Sequence, residues 1–179
     1  VSAVRGAHDL SAVSGDIEVD LGSGHAEAGT VSGDVEVTGR GVPGSVAVNT
    51  VSGDLELANI AGELVASTVS GDITVEKSSL ARLKANTTNG DIDIRSEIAP
   101  NGRVNLETTN GDVDLVINGK DDVNVSVATF NGDIDNCFGV SAEKPRSSGP
   151  GNELRFSSGD DQRRLRVRTL NGDVDVCAY

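Results

Sequence analysis

The stretch "TTNGDIDI", residues 87–94, returns almost unchanged as "TTNGDVDL" at 108–115 and as "TLNGDVDV" at 169–176. A Ser-Gly-Asp or Asn-Gly-Asp triplet followed by an apolar residue occurs in eight copies, with its glycine at 15, 33, 53, 71, 90, 111, 132 and 172. The first six steps are 18, 20, 18, 19, 21 and 21 residues, and the last is 40. Self-similarity at such a period is the mark of a repeat architecture.

Each copy has the same frame. Alternating apolar residues lead up to a threonine, as in Val46, Val48, Thr50 and in Leu83, Ala85, Thr87. Two more follow the triplet, as in Leu55, Leu57 and in Ile92, Ile94. Alternation with period two reads as a half-buried strand on either side. Thr50 and Leu55 are an odd number of positions apart, so the inward parity switches at the triplet. A bend or bulge does that, and glycine permits it, so the triplet is a corner. Segments between copies, such as "ANIAG" and "TGRGVPG", are too short for a crossover helix. A repeat of this length without a helix winds once around a narrow core and stacks on the turn before it. The expected fold is therefore all-β, a single-stranded parallel β-helix (β-solenoid). It has about eight rungs of 18–21 residues, is right-handed by the general rule for parallel connections, and is roughly 38 Å long at the usual strand spacing.

Bulk composition agrees. The chain has 179 residues, one domain's worth, with only 2% aromatics but 22 glycines. A core of Val, Leu, Ile and Ala joined by tight turns suits many short strands. The net charge of −13 argues against nucleic acid and anionic membranes as partners. No stretch approaches 18 apolar residues, so no transmembrane segment is expected within the chain. It opens on Val1 without Met, so its start is expected to be missing, processed or trimmed, and this beginning is uninformative about a signal peptide or anchor.

Stacking converts every repeated residue into a column. The Ser/Asn column ends in Asn89, Asn110, Asn131 and Asn171, whose side chains can bond their copies above and below. A threonine column, Thr30 to Thr169, shares parity with the buried residues and is expected to face the core rather than to bind ice. The corner aspartates, from Asp16 to Asp173, can accept bonds from turn amides, a structural role. A second acidic column on the solvent face runs through Glu18, Glu36 and Glu56 to Asp93, Asp114, Asp135 and Asp175, interrupted by Thr74. Asp93, Asp114 and Asp135 are the candidate Ca²⁺ strip, since calcium takes clustered carboxylates; the plainer reading is a solvated acidic face. No cofactor is called for. A polysaccharide-cleaving site would break the repeat at one level, and the first seven copies show no such break. His8 and His25 sit at different offsets from their corners, so they form no pair.

The repeat does break between Phe138 and Gln162. "NELRF" and "RRLRVRT" read as strands around a hairpin tip at "SSGDD"; the alternative is a degenerate ninth rung, since the last step of 40 is twice 20. This divides the domain into a repeat body, 1–137, and a C-terminal hairpin cap with the last rung, 138–179. The cap holds Lys144, Arg146, Arg155, Arg163, Arg164, Arg166 and Arg168, seven of the 15 basic residues, so the rod is more basic at its tail. Cys137 and Cys177 lie at the same offset after their corners. Neighbouring rungs are the expectation, which puts the pair within disulfide range and fits an exported protein; an intervening ninth rung is the alternative and leaves two free thiols.

The phrase Thr-x-(Ser/Asn)-Gly-Asp-(Ile/Val/Leu) resembles the repeat of a bacterial adhesin-like β-solenoid family, a group of envelope-associated proteins of unknown function. The resemblance covers nearly the whole chain. It implies an exported protein, in the periplasm or at the cell surface, and supplies no catalytic residues. The expected function is a non-enzymatic envelope scaffold or adhesin that presents a rigid, repetitive β-surface to a partner protein or glycan. A filament subunit stacking end to end is the alternative, and a β-helix enzyme acting on polysaccharide the third.

Overall fold

The structure, a computed structural model, describes residues 4–5, 8–23, 25–119, 121–143, 151–159 and 163–179. They form sixteen strands and no helix. The first eight are β1 (Val4–Arg5), β2 (His8–Ser14), β3 (Ile17–Ser23), β4 (His25–Ser32), β5 (Val35–Thr38), β6 (Pro43–Asn49), β7 (Leu55–Ala58) and β8 (Ala61–Ser67). Two long strands follow, β9 (Ile73–Asn86) and β10 (Ile92–Glu107). The remainder are β11 (Val113–Ile117), β12 (Val123–Asn131), β13 (Ile134–Asn136), β14 (Asn152–Ser158), β15 (Arg163–Asn171) and β16 (Val174–Ala178).

Each triplet is a corner between an entry strand and an exit strand, and corners stack on corners. Entry strands pair in the order β2, β4, β6, β8, β9, β10, while exit strands pair β3, β5, β7, β9, β10, β11. All of these pairs are parallel. Parity switches at each corner as the alternation requires. In β4 the even positions Ala26, Ala28 and Thr30 are buried, whereas in β5 the odd positions Val35 and Val37 are. Both sets contribute to one apolar cluster running the length of the stack. The outward side chains of the entry and exit faces therefore point away from each other.

The corners are tied level to level. Each threonine of the inward column is only 4–7% exposed, and its hydroxyl donates to the glycine carbonyl one level below. Examples are Thr87 Oγ1 to Gly71 O at 3.1 Å and Thr108 Oγ1 to Gly90 O at 3.2 Å. That burial leaves no exposed threonine row.

Levels one to six, with corners at Gly15, Gly33, Gly53, Gly71, Gly90 and Gly111, follow chain order. The last two do not. Gly111 N donates to Asn171 O, and Gly172 N donates to Asn131 O, so the corner at Gly172 lies between those at Gly111 and Gly132. In register terms β15 pairs with β10 on one side and β12 on the other, and β16 sits likewise between β11 and β13. The chain leaves level six, skips a level, builds level eight, and returns at its C-terminus to fill the gap. The expectation that every rung stacks on the turn before it is thus corrected for the last two levels.

The hairpin expectation is corrected with it. β14 and β15 do not pair with each other; both pair with β12, β14 antiparallel along its outer edge and β15 parallel along its inner one. The physical reason is edge satisfaction. Skipping a level leaves β10–β11 and β12–β13 with facing open edges, and one returning strand pair satisfies both. β14 closes the outer end, with Phe156 against Phe138 at a ring separation of 4.9 Å. No ninth rung intervenes between the cysteine-bearing strands. Residues 144–150, with Lys144 and Arg146, and the end of the "SSGDD" segment lie outside the described residues.

Candidate functional site

The corner carries an aspartate ladder that runs the whole stack and an asparagine ladder over its last four levels. Each corner carboxylate accepts the backbone amide of the next corner aspartate: Asp54 N to Asp34 Oδ1 at 2.9 Å, Asp112 N to Asp91 Oδ1 at 2.7 Å, and Asp173 N to Asp112 Oδ1 at 2.7 Å. Beside it the asparagine amides bond in series. Asn110 Nδ2 donates to Asn89 Oδ1 at 2.9 Å, Asn171 to Asn110 at 2.8 Å, and Asn131 to Asn171 at 2.8 Å. The order 89, 110, 171, 131 repeats the intercalation in side chains. The aspartate carboxylates accept level after level, and Asn110 and Asn171 both accept and donate, so the corner is a spine rather than a site with spare chemistry.

Outward from the spine, the exit face is acidic. Glu18, Glu36 and Glu56 share a column with Thr74, Asp93, Asp114, Asp175 and Asp135, in that spatial order. Asp175 therefore separates Asp114 from Asp135 in the strip. The carboxylates stand side by side at strand spacing, about 4.8 Å, and no three His, Cys, Asp or Glu among the described residues gather into a group able to hold a metal. Arg95 reaches Asp93 at 3.3 Å and Asp114 at 3.2 Å. Asp93 Oδ1 is nonetheless buried without a hydrogen-bond partner. Burial pushes its pKa up, the nearby Arg95 lowers it, and Asp114 and Glu76 add repulsion. Asp175 is also raised, first by burial and then by the flanking Asp114 and Asp135.

The entry face near the C-terminal end is basic, a narrower placement than the basic tail expected from the sequence. β15 sets Arg164, Arg166 and Arg168 beside Arg103, Asn105 and Glu107, which in turn lie beside Arg82, Lys84 and Asn86. The alternation in "RRLRVR" shows that these arginines share one face; the partners they meet depend on where β15 enters. A groove of about 470 Å³ opens on the same face between Lys84, Glu107, Thr109 and Arg168. A second, of about 520 Å³, lies at the bend of β9 among Lys77, Ser79, Arg95, Glu97 and Tyr179.

The position between threonine and Ser/Asn supplies a third column. Val13, Val31, Val51 and Val69 are 47–77% exposed, and Leu170 and Phe130 are 45% exposed. Apolar side chains thus line the rim of the corner at both ends of the stack, with Thr88 and Thr109 between them. Cys137 and Cys177 are joined as a disulfide with Cα atoms 4.8 Å apart, linking level eight to the intercalated level seven. No helix of the described residues is long and apolar enough to cross a membrane.

No curated protein and no solved structure matches the chain. A family model described as Toastrack DUF4097 matches residues 4–60 and 59–177, nearly the whole length. With its stacked parallel strands and repeated corners, the chain belongs to the Toastrack DUF4097 family.

Proposed function

We propose that this protein is a non-enzymatic scaffold of the bacterial cell envelope, adhesin-like in presenting a rigid, repetitive β-surface to a partner protein or glycan. The observation that carries the reading is the division of labour among the columns. Threonine, corner aspartate and asparagine are consumed in level-to-level bonds, while charged and apolar columns are displayed outward at one fixed spacing. Repetition of that kind suits many weak contacts added along a line, so that avidity replaces a deep pocket. The Cys137–Cys177 disulfide supports an oxidising compartment, hence export to the periplasm or cell surface.

The test is retention of the purified, labelled protein on intact cells and on isolated envelope polysaccharide. Variants with outward residues changed, such as Val31→Ser with Val51→Ser, are compared with wild type. Saturable retention that weakens in the variants supports the reading; absence of retention on both materials overturns it. Turnover of an acidic polysaccharide that disappears on replacing Asp112, Asp114 and Asp133 would establish an enzyme instead.

A further inference from the structure

β15 carries exposed arginine at every second position, 164, 166 and 168. Its entry between β10 and β12 sets Arg164 next to Arg103, itself next to Arg82, with Lys84 and Arg166 in the adjoining column. Six cations thus occupy three neighbouring levels of the entry face. Arg82 has Glu63 at 3.1 Å. The other five make no ion pair among the described residues. Like charges facing each other across a ladder repel, so a protein of net charge −13 keeps a basic patch that only Glu63, paired with Arg82, and Glu107, in register with Arg168, offset.

The same returning segment builds the opposite charge on the other face. β16 places Asp175 between Asp114 and Asp135, and Asp93 completes the row. Arg95 bridges Asp93 and Asp114, while Asp175 and Asp135 have no ion pair among the described residues. Cations and carboxylates therefore occupy the same levels on faces that point apart. Both rows have the strand spacing of about 4.8 Å, so they match in period without adjustment.

We propose that the occupant of the basic face is a second copy of this chain, standing side by side with the first, parallel and level with it. Arg82, Arg103 and Arg164 of one copy then face Asp93, Asp114 and Asp175 of the next. The contact gives Arg103, Arg164 and Asp175, which make no ion pair among the described residues, an opposite charge to face. Because the two faces differ, the contact is heterologous and extends into an open row rather than closing on a dimer. The whole face measures about 38 by 14 Å, roughly 500 Å² per copy, and the complementary charges occupy three of its eight levels, which puts the contact at the small end for specific interfaces. Pairing is consequently weak, multivalent and sensitive to salt. This inference does not depend on the scaffold reading or on any envelope partner.

Sedimentation of the disulfide-intact protein tests it, at ionic strengths of about 20 and about 500 mM, which set the screening length near 20 and 4 Å. At low salt the weight-average mass is expected to rise to at least twice the monomer's 18.3 kDa and at high salt to return to it. Arg164→Glu with Arg166→Glu, and separately Asp114→Lys with Asp175→Lys, should each stay monomeric at low salt. A mixture of the two should associate again. A wild type that is monomeric at low salt, association indifferent to salt, or a mixture that fails to associate overturns the proposal. Binding of a polyuronate that the arginine variant loses, with wild type remaining monomeric, also overturns it and assigns the face to a polyanion. Thermal melts check that the variants fold, and Arg164→Gln with Arg166→Gln serves in place of a reversal that does not.

Discussion

Replacing one corner glycine by alanine at two different levels separates the cost of a bend from the cost of stacking. Gly15 and Gly111 both have positive φ, 114° and 153°, a region where an L side chain is strained by about 1–3 kcal/mol. They differ in what lies beneath. An added Cβ at Gly15, the first corner, meets nothing within 4 Å. At Gly111 it falls 2.0 Å from the Gly90 carbonyl oxygen, 2.6 Å from its carbon and 2.9 Å from Asp91 Oδ1. Relief requires the two levels to part by about 1 Å, because no flexible side-chain end can swing away. That opening lengthens the bond from Thr108 Oγ1 to Gly90 O, now 3.2 Å, and the bond from Asp112 N to Asp91 Oδ1, now 2.7 Å. At about 1 kcal/mol for each bond lost, Gly111→Ala should cost about 4 kcal/mol against about 2 for Gly15→Ala.

For a domain of this size 1 kcal/mol corresponds to about 2–4 °C, so the two variants should differ by about 4–8 °C in melting temperature. Urea unfolding followed by circular dichroism gives the free energies directly. Equal costs at the two positions would refute the reasoning, since they would mean that the close approach between levels contributes nothing. A Gly111→Ala protein as stable as wild type would refute the corner geometry itself.

Three more outcomes are expected. Leu165→Ala should cost about 2–5 kcal/mol, because Leu165 is 1% exposed between Val104 and Val125 in register. Hydrogen exchange should show amides of β12 losing protection together with those of β15, and undiminished protection in β12 would contradict the intercalated order. Reducing the Cys137–Cys177 bond, which spans 40 residues, should lower stability by about 4 kcal/mol on the chain-entropy estimate, or roughly 10 °C; a melting point unmoved by reductant would count against it. Asp175→Asn should raise the melting temperature at pH 7. The raised folded pKa of Asp175 means that the folded state holds its proton more tightly than the unfolded chain. Stability contributed by this group is thus lost as pH climbs through the folded value. The advantage of the variant should vanish near pH 3, where both states are protonated; an equal gain at pH 3 and pH 7 would exclude the electrostatic cause.

The corner could be read from the chain because its physics is local. Parity switching between Thr50 and Leu55, a glycine at the switch and short connections leave few alternatives to a solenoid, and the burial of Val46 and Val48 on one side of that corner with Leu55 and Leu57 on the other follows. The order of the last two levels could not be read, for a reason that lies in the repeat itself. "TTNGDVDL", "TFNGDIDN" and "TLNGDVDV" present the same threonine, asparagine, glycine and aspartate to whichever neighbour they meet. Asn171 bonds Asn110 on one side and Asn131 on the other with no preference encoded in its own residue type. Order is decided instead by long-range facts: where the chain reverses after β14, and which open edges remain for β15 to fill. The basic face is the direct consequence. The arginines of "RRLRVR" are plain in the chain, but Arg103 and Arg82 become their neighbours only because β15 returns to level seven. In a repeat whose rungs are nearly interchangeable, local pattern determines the fold and threading determines the surface. The candidate interface therefore belongs to the topology more than to any single motif.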